Sequence, residues 1–400
     1  MDLRTEEPFW LMRSGIIQSF PSIKKSANTE VVILGGGITG SLIAFYLAKA
    51  GISAILIDKR KIGMGSTCAS TALLQYEIDT PLQELQGYVG FENAARSYQL
   101  CIEAITKIEK IVKELNVEVG FSKRRSFYYA SNKSDAKELP KEYELRKQVG
   151  IDLEYWEEEE IKNKFGFSAS AALMSKDGAQ IDAYSFTHHL LDYAQKNGVK
   201  VFDDSEVTEI IHHKNSVELT TKYGLKIDAK KLIIASGYES QQFLSKKIVQ
   251  FNSSFAIVSE PFEQKELWLD NCLIWETARP YLYLRTTDDN RVLIGGKDEE
   301  FYNPQKRDAL NDKKAMQLEK EFNKLFPDLL FRTDFKWAGT FAETKDGLPY
   351  IGAVDERPNT YFAMGFGGNG IVFSLLAAEI IRDELTGKQN NDAKIFGFDR

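Results

Sequence analysis

The sequence predicts an α/β chain in which a dinucleotide-type, Rossmann-like lobe is interleaved with an antiparallel-sheet lobe. Three observations carry this. A β-branched apolar run, Val31-Val32-Ile33-Leu34, breaks at Gly35-Gly36-Gly37-Ile38-Thr39-Gly40. Buried-strand runs of the same kind recur at Leu232-Ile233-Ile234 and after Thr360, so they lie at both ends and in the middle of the chain. Between them, Tyr281-Leu282-Tyr283-Leu284 and Val292-Leu293-Ile294 flank the turn residues Asp288-Asp289-Asn290, as in an antiparallel hairpin. The expected division gives 1–95, 177–250 and 345–400 to the dinucleotide lobe and 96–176 and 251–344 to the second.

Taken in order, the run 31–34 reads as a strand buried on both faces. Ser41 to Ala50 has helical spacing, with Leu42, Phe45, Tyr46 and Leu47 apolar and Gly51 as the stop. Ala54 to Ile57 is the second strand, ending at Asp58, which completes a βαβ unit of ~30 residues. Asn93 to Leu115 predicts a long helix, and 124–174 a mixture of short strands and charged helices. Glu157 to Glu160 marks a helix start, since carboxylates favour the positive end of the dipole. Tyr184 to Lys196 predicts a helix, 201–237 strands with a turn at Tyr223-Gly224, and Asp308 to Phe326 a helix stopped by Pro327. Thr360 to Ala378 carries no charge, but Gly365, Gly367, Gly368 and Gly370 cut it, so it reads as strand, glycine turn and helix rather than a membrane span.

Composition narrows the function. The chain has 400 residues, 43% hydrophobic and 27% charged, the balance of a soluble globular protein. A net charge of -7 argues against a nucleic-acid partner. Cys68, Cys101 and Cys272 show neither disulfide nor zinc spacing, and the adjacent pairs His188–His189 and His212–His213 do not suit one metal. Asp2, Glu6 and Glu7 sit early, with no apolar core or cleavage site behind them, so a cytoplasmic protein is expected.

The motif that carries chemistry is Gly35-x-Gly37-x-x-Gly40, with Asp58 eighteen residues further on. Gly35 permits a tight turn, Gly37 a close approach of backbone N–H groups to a pyrophosphate, and Gly40 close packing of helix on sheet. The helix start offers unpaired donors to phosphate, and Asp58 can accept from a ribose hydroxyl. This pattern does not separate NAD from FAD.

Further segments follow in a set order: Gly65-Ser66-Thr67, Ile233 to Gly237, Lys345-Asp346-Gly347-Leu348-Pro349-Tyr350-Ile351-Gly352, and Gly367-Gly368-Asn369-Gly370. With the glycine motif, they make the chain resemble the D-amino acid oxidase family, the group of glycine oxidase, sarcosine oxidase and gamma-glutamylputrescine oxidase, from about Glu30 to Leu385. The resemblance implies FAD and a large antiparallel sheet roofing the flavin. It implies Asp58 on the ribose with Lys59 and Arg60 near it, and Gly65, Ser66 and Thr67 at pyrophosphate or ribityl oxygens. It places Ile38 and Thr39 at the helix start, Val207 beside the adenine, and Ser236 and Gly237 beside the pyrophosphate. Thr71, Ala72 and Leu73 would run along the ring, and Gly347, Gly368, Asn369, Gly370 and Ile371 would complete the site, the last helix facing the pyrimidine. Helix N–H groups there stabilise the anion formed on reduction.

The implied reaction oxidises a C–N bond, with hydride to flavin N5 and an imine that water hydrolyses. Departures from the family bear on the substrate. In glycine oxidase, arginines that grip the substrate carboxylate precede the Lys-Asp-Gly segment and the final Asn-Gly; here Phe341 and Gly368 take those places. A bidentate arginine is the usual device for a buried carboxylate, so an amine is expected. The hairpin Tyr283 to Arg291 resembles that of gamma-glutamylputrescine oxidase. Tyr283, Arg285 and Lys297 are the candidate catalytic residues, with a surface ion pair as the competing reading of Arg285 and plain surface exposure that of Lys297. Gln75 and Tyr76 are candidate cavity residues, Phe127-Tyr128-Tyr129 core, and Cys68 a packing residue. Sarcosine oxidase ties its flavin to a cysteine close before the Lys-Asp-Gly segment; no cysteine lies there in this chain, whose last is Cys272, so FAD is expected to be non-covalent. Electrons pass to O2 or to another acceptor. The alternatives are an amino-acid oxidase with a different carboxylate clamp, and an alcohol dehydrogenase of the glycerol-3-phosphate kind. The latter needs phosphate-binding arginines, of which the hairpin region offers Arg279, Arg285 and Arg291.

Overall fold

The computed structural model describes every residue except Glu6 and Lys265. Two sheets form the frame. The first runs, in spatial order, Tyr350–Ala353, Thr360–Met364, Lys226–Ile234, Ala27–Leu34, Ala54–Ile57, Lys200–Phe202. Its neighbours are parallel except the first pair, and the hairpin Val207–His212 with Val217–Thr221 adds antiparallel strands beside Lys226–Ile234. The β-branched runs are buried on both faces, as continuous apolar strands of a parallel sheet must be. Val31 and Ile33 pack under helices, while Val32, Ile55 and Leu232 face a second core with Leu219 and Phe362.

The glycine-motif helix, Ile38–Lys49, lies against Gly370–Leu385 and Ala183–Lys196. It is buried from Ile38 to Ala48, which is why it is apolar all round rather than on one stripe. Asp182 caps Ala183–Lys196 by accepting from the Ser185 amide at 2.9 Å. Among the described residues, no helix is long and apolar enough to cross a membrane.

The second sheet runs Thr333–Glu343, Gln250–Ser259, Val292–Glu299, Tyr283–Thr286, Leu273–Glu276, Ser122–Tyr129, Ala171–Gln180, Leu73–Leu74, with Leu153–Glu157 beside Ala171–Gln180. The expected hairpin pairs Tyr283 with Gly295 and Leu284 with Ile294. Helix Pro304–Leu325 covers the outer face, packing Leu318 and Phe322 against Phe255, Ile257 and Ile294. It begins four residues before the expected Asp308, because Asn303 caps it and Pro304 opens it.

Two further features depart from the sequence reading. Leu73–Leu74, expected in the first lobe, pairs with Gln180 and Ala179 of the second sheet. Ahead of the first strand, a short helix Phe9–Ser14 was not anticipated. It buries Phe9 and Trp10, and Leu3 to Thr5 bond to the strand Thr333–Glu343 through Thr5 N–H to Ala338 O and Thr340 N–H to Leu3 O.

Candidate active site between the sheets

A cavity of about 530 Å³ lies between the two sheets, within the range of small-molecule sites. Gly35, Gly37, Ile38, Thr39, Ser66, Thr67, Ser236 and Gly237 line its phosphate-like stretch. The glycine requirement is physical here. Gly35 has φ +118°, and a side chain on it would overlap the Ala235 carbonyl. A side chain on Gly40 would overlap the Gly35 carbonyl, so Gly40 serves helix–sheet packing and does not line the cavity. Thr67 was expected on a phosphate or ribityl oxygen; its Oγ1 accepts from the Ile38 amide at 3.0 Å. Ser66 Oγ is buried without a partner among the described residues, an orphan that a ligand oxygen would satisfy. These observations fit a dinucleotide cofactor.

At one end, Asp58 accepts from the Gly36 amide at 2.6 Å and the Arg60 amide at 2.7 Å. Burial raises its pKa above the usual carboxylate range, against the pull of those amides. Lys59, Arg60 and Val207 line the same end. Lys59 and Arg60 both donate to Glu239, at 2.9 and 2.8 Å, and so does the Met1 amino group, at 2.6 Å. Burial works against the Glu239 carboxylate, but these three cations hold its pKa down at about 2. Glu239 was missed in the sequence, where it follows the strand-end glycine with no motif of its own.

Gly65 lines the cavity beside Ser66, and Thr71, Ala72, Leu73, Gly368, Asn369, Gly370 and Ile371 line the other end. Gly347 does not: it turns with φ +75° beneath Thr80, whose Oγ1 would meet a Cβ there at 2.7 Å. Its place is to seat the loop that carries Asp79. The Asn369 side chain donates to Gln75 O at 3.0 Å and Glu77 O at 2.8 Å, tying the helix start to that strand. Gln75 lines the cavity, whereas Tyr76 is turned into the core against Tyr98. Cys68 is buried among Phe9, Trp10, Tyr184 and Trp337. Phe127 and Tyr129 are core, and Tyr128 stacks on Trp275 at 4.0 Å.

Of the three candidate catalytic residues, only Tyr283 lines the cavity. A Cβ at Gly295, its cross-strand partner, would overlap the Tyr283 ring, so the glycine makes room for it. Arg285 is 1% exposed and makes no ion pair with any described residue. Its Nη1 donates to the carbonyls of Thr71, Ala72 and Ile181 at 3.2, 2.8 and 2.9 Å. Burial pushes its guanidinium down to about 9. It is neither a substrate contact nor a surface pair, but a brace behind the loop 71–72. Lys297 lies outside the cavity, paired with Glu321 at 3.0 Å; its strand position directs it to the helix Pro304–Leu325.

Three acidic residues of this end were not anticipated: Glu77, Asp79 and Asp298 all line the cavity. Glu77 is buried with Arg146 at 3.8 Å, accepts from Ser126 at 2.8 Å, and has its pKa raised by burial against that cation. Asp79 accepts from the Tyr281 hydroxyl at 2.8 Å and the Gly368 amide at 2.7 Å. The Gly368 amide is therefore already partnered. Asp298 Oδ1 is enclosed without a partner among the described residues. Burial raises the Asp298 pKa to about 7; Ser254 opposes the shift, while Glu343 and Asp79 add to it. Lys59 and Arg60, at the far end, are the only cationic side chains among the residues lining the cavity. Phe341 and Gly368 stand in the lining where the resemblance implied arginines.

A Rossmann-like sheet with a phosphate cradle, roofed by an antiparallel sheet over one shared cavity, defines a dinucleotide-dependent oxidoreductase of two interlocked lobes. The chain belongs to the FAD dependent oxidoreductase family, whose model matches residues 30–384. It is 24% identical over 376 residues to gamma-glutamylputrescine oxidoreductase of Escherichia coli, covering 92% of this chain and 86% of that one. It is likewise 24% identical over 375 residues to glycine oxidase of Bacillus subtilis, covering 92% and 96%. The crystal structure of glycine oxidase from Geobacillus kaustophilus superposes with a TM-score of 0.76 at 20% identity, over 91% of this chain and 96% of that one. The cofactor is FAD, and the protein is an enzyme.

Proposed function

We propose that this enzyme oxidises the C–N bond of an amine. Bound FAD supplies the hydride acceptor at N5, and the resulting imine is hydrolysed by water. The single observation that carries the reading is the charge of the ring end of the cavity: three carboxylates and no lining cation. A substrate carboxylate or phosphate needs a cationic partner when buried. The hairpin arginines do not provide one. Arg285 is committed to backbone carbonyls, and Arg291 pairs with Asp289 and Asp334 at 2.9 and 2.5 Å. Arg279, exposed at the rim, donates to the Asp79 carbonyl and lies 4.8 Å over the Tyr281 ring.

The chain's own groups suit an amine. Trp275, Tyr281 and Tyr283 give an aromatic wall that takes an alkyl chain or a cation. Asp298, poised near neutrality, is the group able to take a proton from the reacting nitrogen as it binds. Glu77 and Asn369 fix the floor, and Arg285 fixes the loop Thr71–Ala72.

Anaerobic bleaching of the flavin's visible absorbance tests the reading. An alkylamine or diamine is expected to bleach it, while glycine, D-alanine and glycerol 3-phosphate leave it oxidised. Fast bleaching by glycine would overturn the amine assignment and point to Arg279 as a carboxylate partner. Re-admitting air then separates an oxidase, whose colour returns at once, from a dehydrogenase that needs another acceptor.

A further inference from the structure

Asp79 has the most particular setting of any charged group in the cavity. It stands on Gly367 and Gly368, and a side chain at either position would push the carboxylate from where it lies. A Cβ on Gly367 would lie 2.5 Å from Asp79 Oδ2. A Cβ on Gly368 would lie 2.8 Å from Oδ1 and 2.9 Å from the Tyr281 hydroxyl. The two glycines, Asp79 and Tyr281 thus form one device that delivers a carboxylate to the start of the final helix. The carboxylate accepts from the Tyr281 hydroxyl and from the Gly368 amide. Each carboxylate oxygen keeps lone-pair capacity for a further donor. Trp275 meets Tyr281 edge-on, with centroids 6.0 Å apart, and its Nε1 is buried without a partner among the described residues.

We propose that Asp79, framed by Tyr281 and Trp275, determines specificity by holding an ammonium group of the substrate other than the nitrogen that is oxidised, so that diamines are preferred. This rests on the amine reading above. The reason is chemical. The nitrogen next to the departing hydride must keep its lone pair to form the C=N bond, so that nitrogen reacts uncharged. A carboxylate that only accepts hydrogen bonds pairs best with a charged donor, and that donor is therefore a second nitrogen. Asp298, within electrostatic reach of Asp79, serves the first.

An isosteric series on the unaltered holoenzyme reads this out: 1,4-diaminobutane, 1-aminobutane and 4-aminobutanoate, compared by the concentration that half-saturates anaerobic flavin bleaching. The diamine is expected to half-saturate at about tenfold lower concentration than the monoamine, as one charge-assisted contact provides, with 4-aminobutanoate the weakest. Asp79→Asn should bring the diamine to the monoamine's level, and Asp79→Glu should restore part of the difference. Equal half-saturation of diamine and monoamine by the native enzyme, or an advantage that survives Asp79→Asn, overturns the proposal and leaves amine oxidation standing. A titration of the oxidised flavin's spectrum with guanidinium, a charged N–H donor with no oxidisable C–H beside nitrogen, and with acetate separates the two readings. Guanidinium binding that Asp79→Asn abolishes, in an enzyme that no amine bleaches, sinks amine oxidation and keeps Asp79 as a cation site. Acetate binding without guanidinium binding sinks the proposal outright.

Discussion

At the scale of single residues, two buried charges carry predictions of opposite kind. Arg285 supports strain: Ala72 has φ +54°, a left-handed conformation that costs an alanine ~1–2 kcal/mol. The guanidinium bonds on Thr71, Ala72 and Ile181 hold that backbone in place. Arg285→Met removes the donors from the Thr71 and Ile181 carbonyls and leaves Ala72 O only the Ile181 amide, so a loss of ~2–4 kcal/mol is expected in urea unfolding, with weaker FAD retention on dilution. Unchanged stability and retention would remove Arg285 from any positioning role. Asp298 is a pH sensor instead. Its pKa lies at about 7 in the fold, against ~4 in the unfolded chain. The folded state binds more protons between those values, so its contribution to stability is full below ~4 and is lost as pH rises through 7. Asp298→Asn should match the native protein at pH 5 and exceed it at pH 8 by on the order of 1–2 kcal/mol, discounted for the part of the side chain that reaches solvent. Thermal unfolding at the two pH values decides this, and a variant equally stabilised at both would refute it.

At the scale of elements, the strands and helices that obey a single period were legible, and those made by long-range partners were not. Ala54–Ile57 and the C-terminal end of the helix Phe91–Leu115 match the reading because a short apolar run ending at Asp58, and a long stretch rich in Ala, Ile, Leu and Lys, mark them locally. Phe9–Ser14 has no such signal. It is a helix because Phe9 and Trp10 fill a space between Trp337, Tyr184 and Cys68, contacts that a local window does not contain. Trp10 also donates to Ser70 O at 2.6 Å and lies 5.3 Å beneath Arg285, while Leu3 lines the cavity. The described residues before the first strand therefore form a strap across the roof sheet and the loop at Ser70. Deleting residues 1–14 should lower FAD affinity and stability together. Trp10→Ala alone should cost ~3–5 kcal/mol, the usual figure for a fully buried tryptophan. Equilibrium dialysis of FAD and a thermal scan of each variant would show it; intact FAD binding in the deletion would limit the strap to folding.

At the scale of the whole molecule, the half of the cavity lined by the glycine-motif unit was legible in the sequence and the half lined by the roof sheet was not. Gly35, Gly37 and Asp58 sit in one βαβ unit, so backbone necessity fixes them in sequence. Asp79, Asp298 and Trp275 come from three distant segments and meet only because the second sheet folds over the first. With the flavin ring placed at that meeting, as the proposed function requires, FAD should couple the two sheets. On the proposed placement ADP would fill only the part of the cavity built by the first sheet and its loops, and FAD would add the end shared with the roof. A ligand that binds only the folded state adds ~1.4 kcal/mol for each tenfold of free concentration above its Kd. Added to apoprotein, FAD should therefore raise the unfolding temperature well beyond ADP at equal saturation, and Asp58→Ala should weaken both. Equal shifts from the two ligands would mean that the roof sheet holds no part of the cofactor, and the cavity's ring end would then have to serve some purpose other than flavin chemistry.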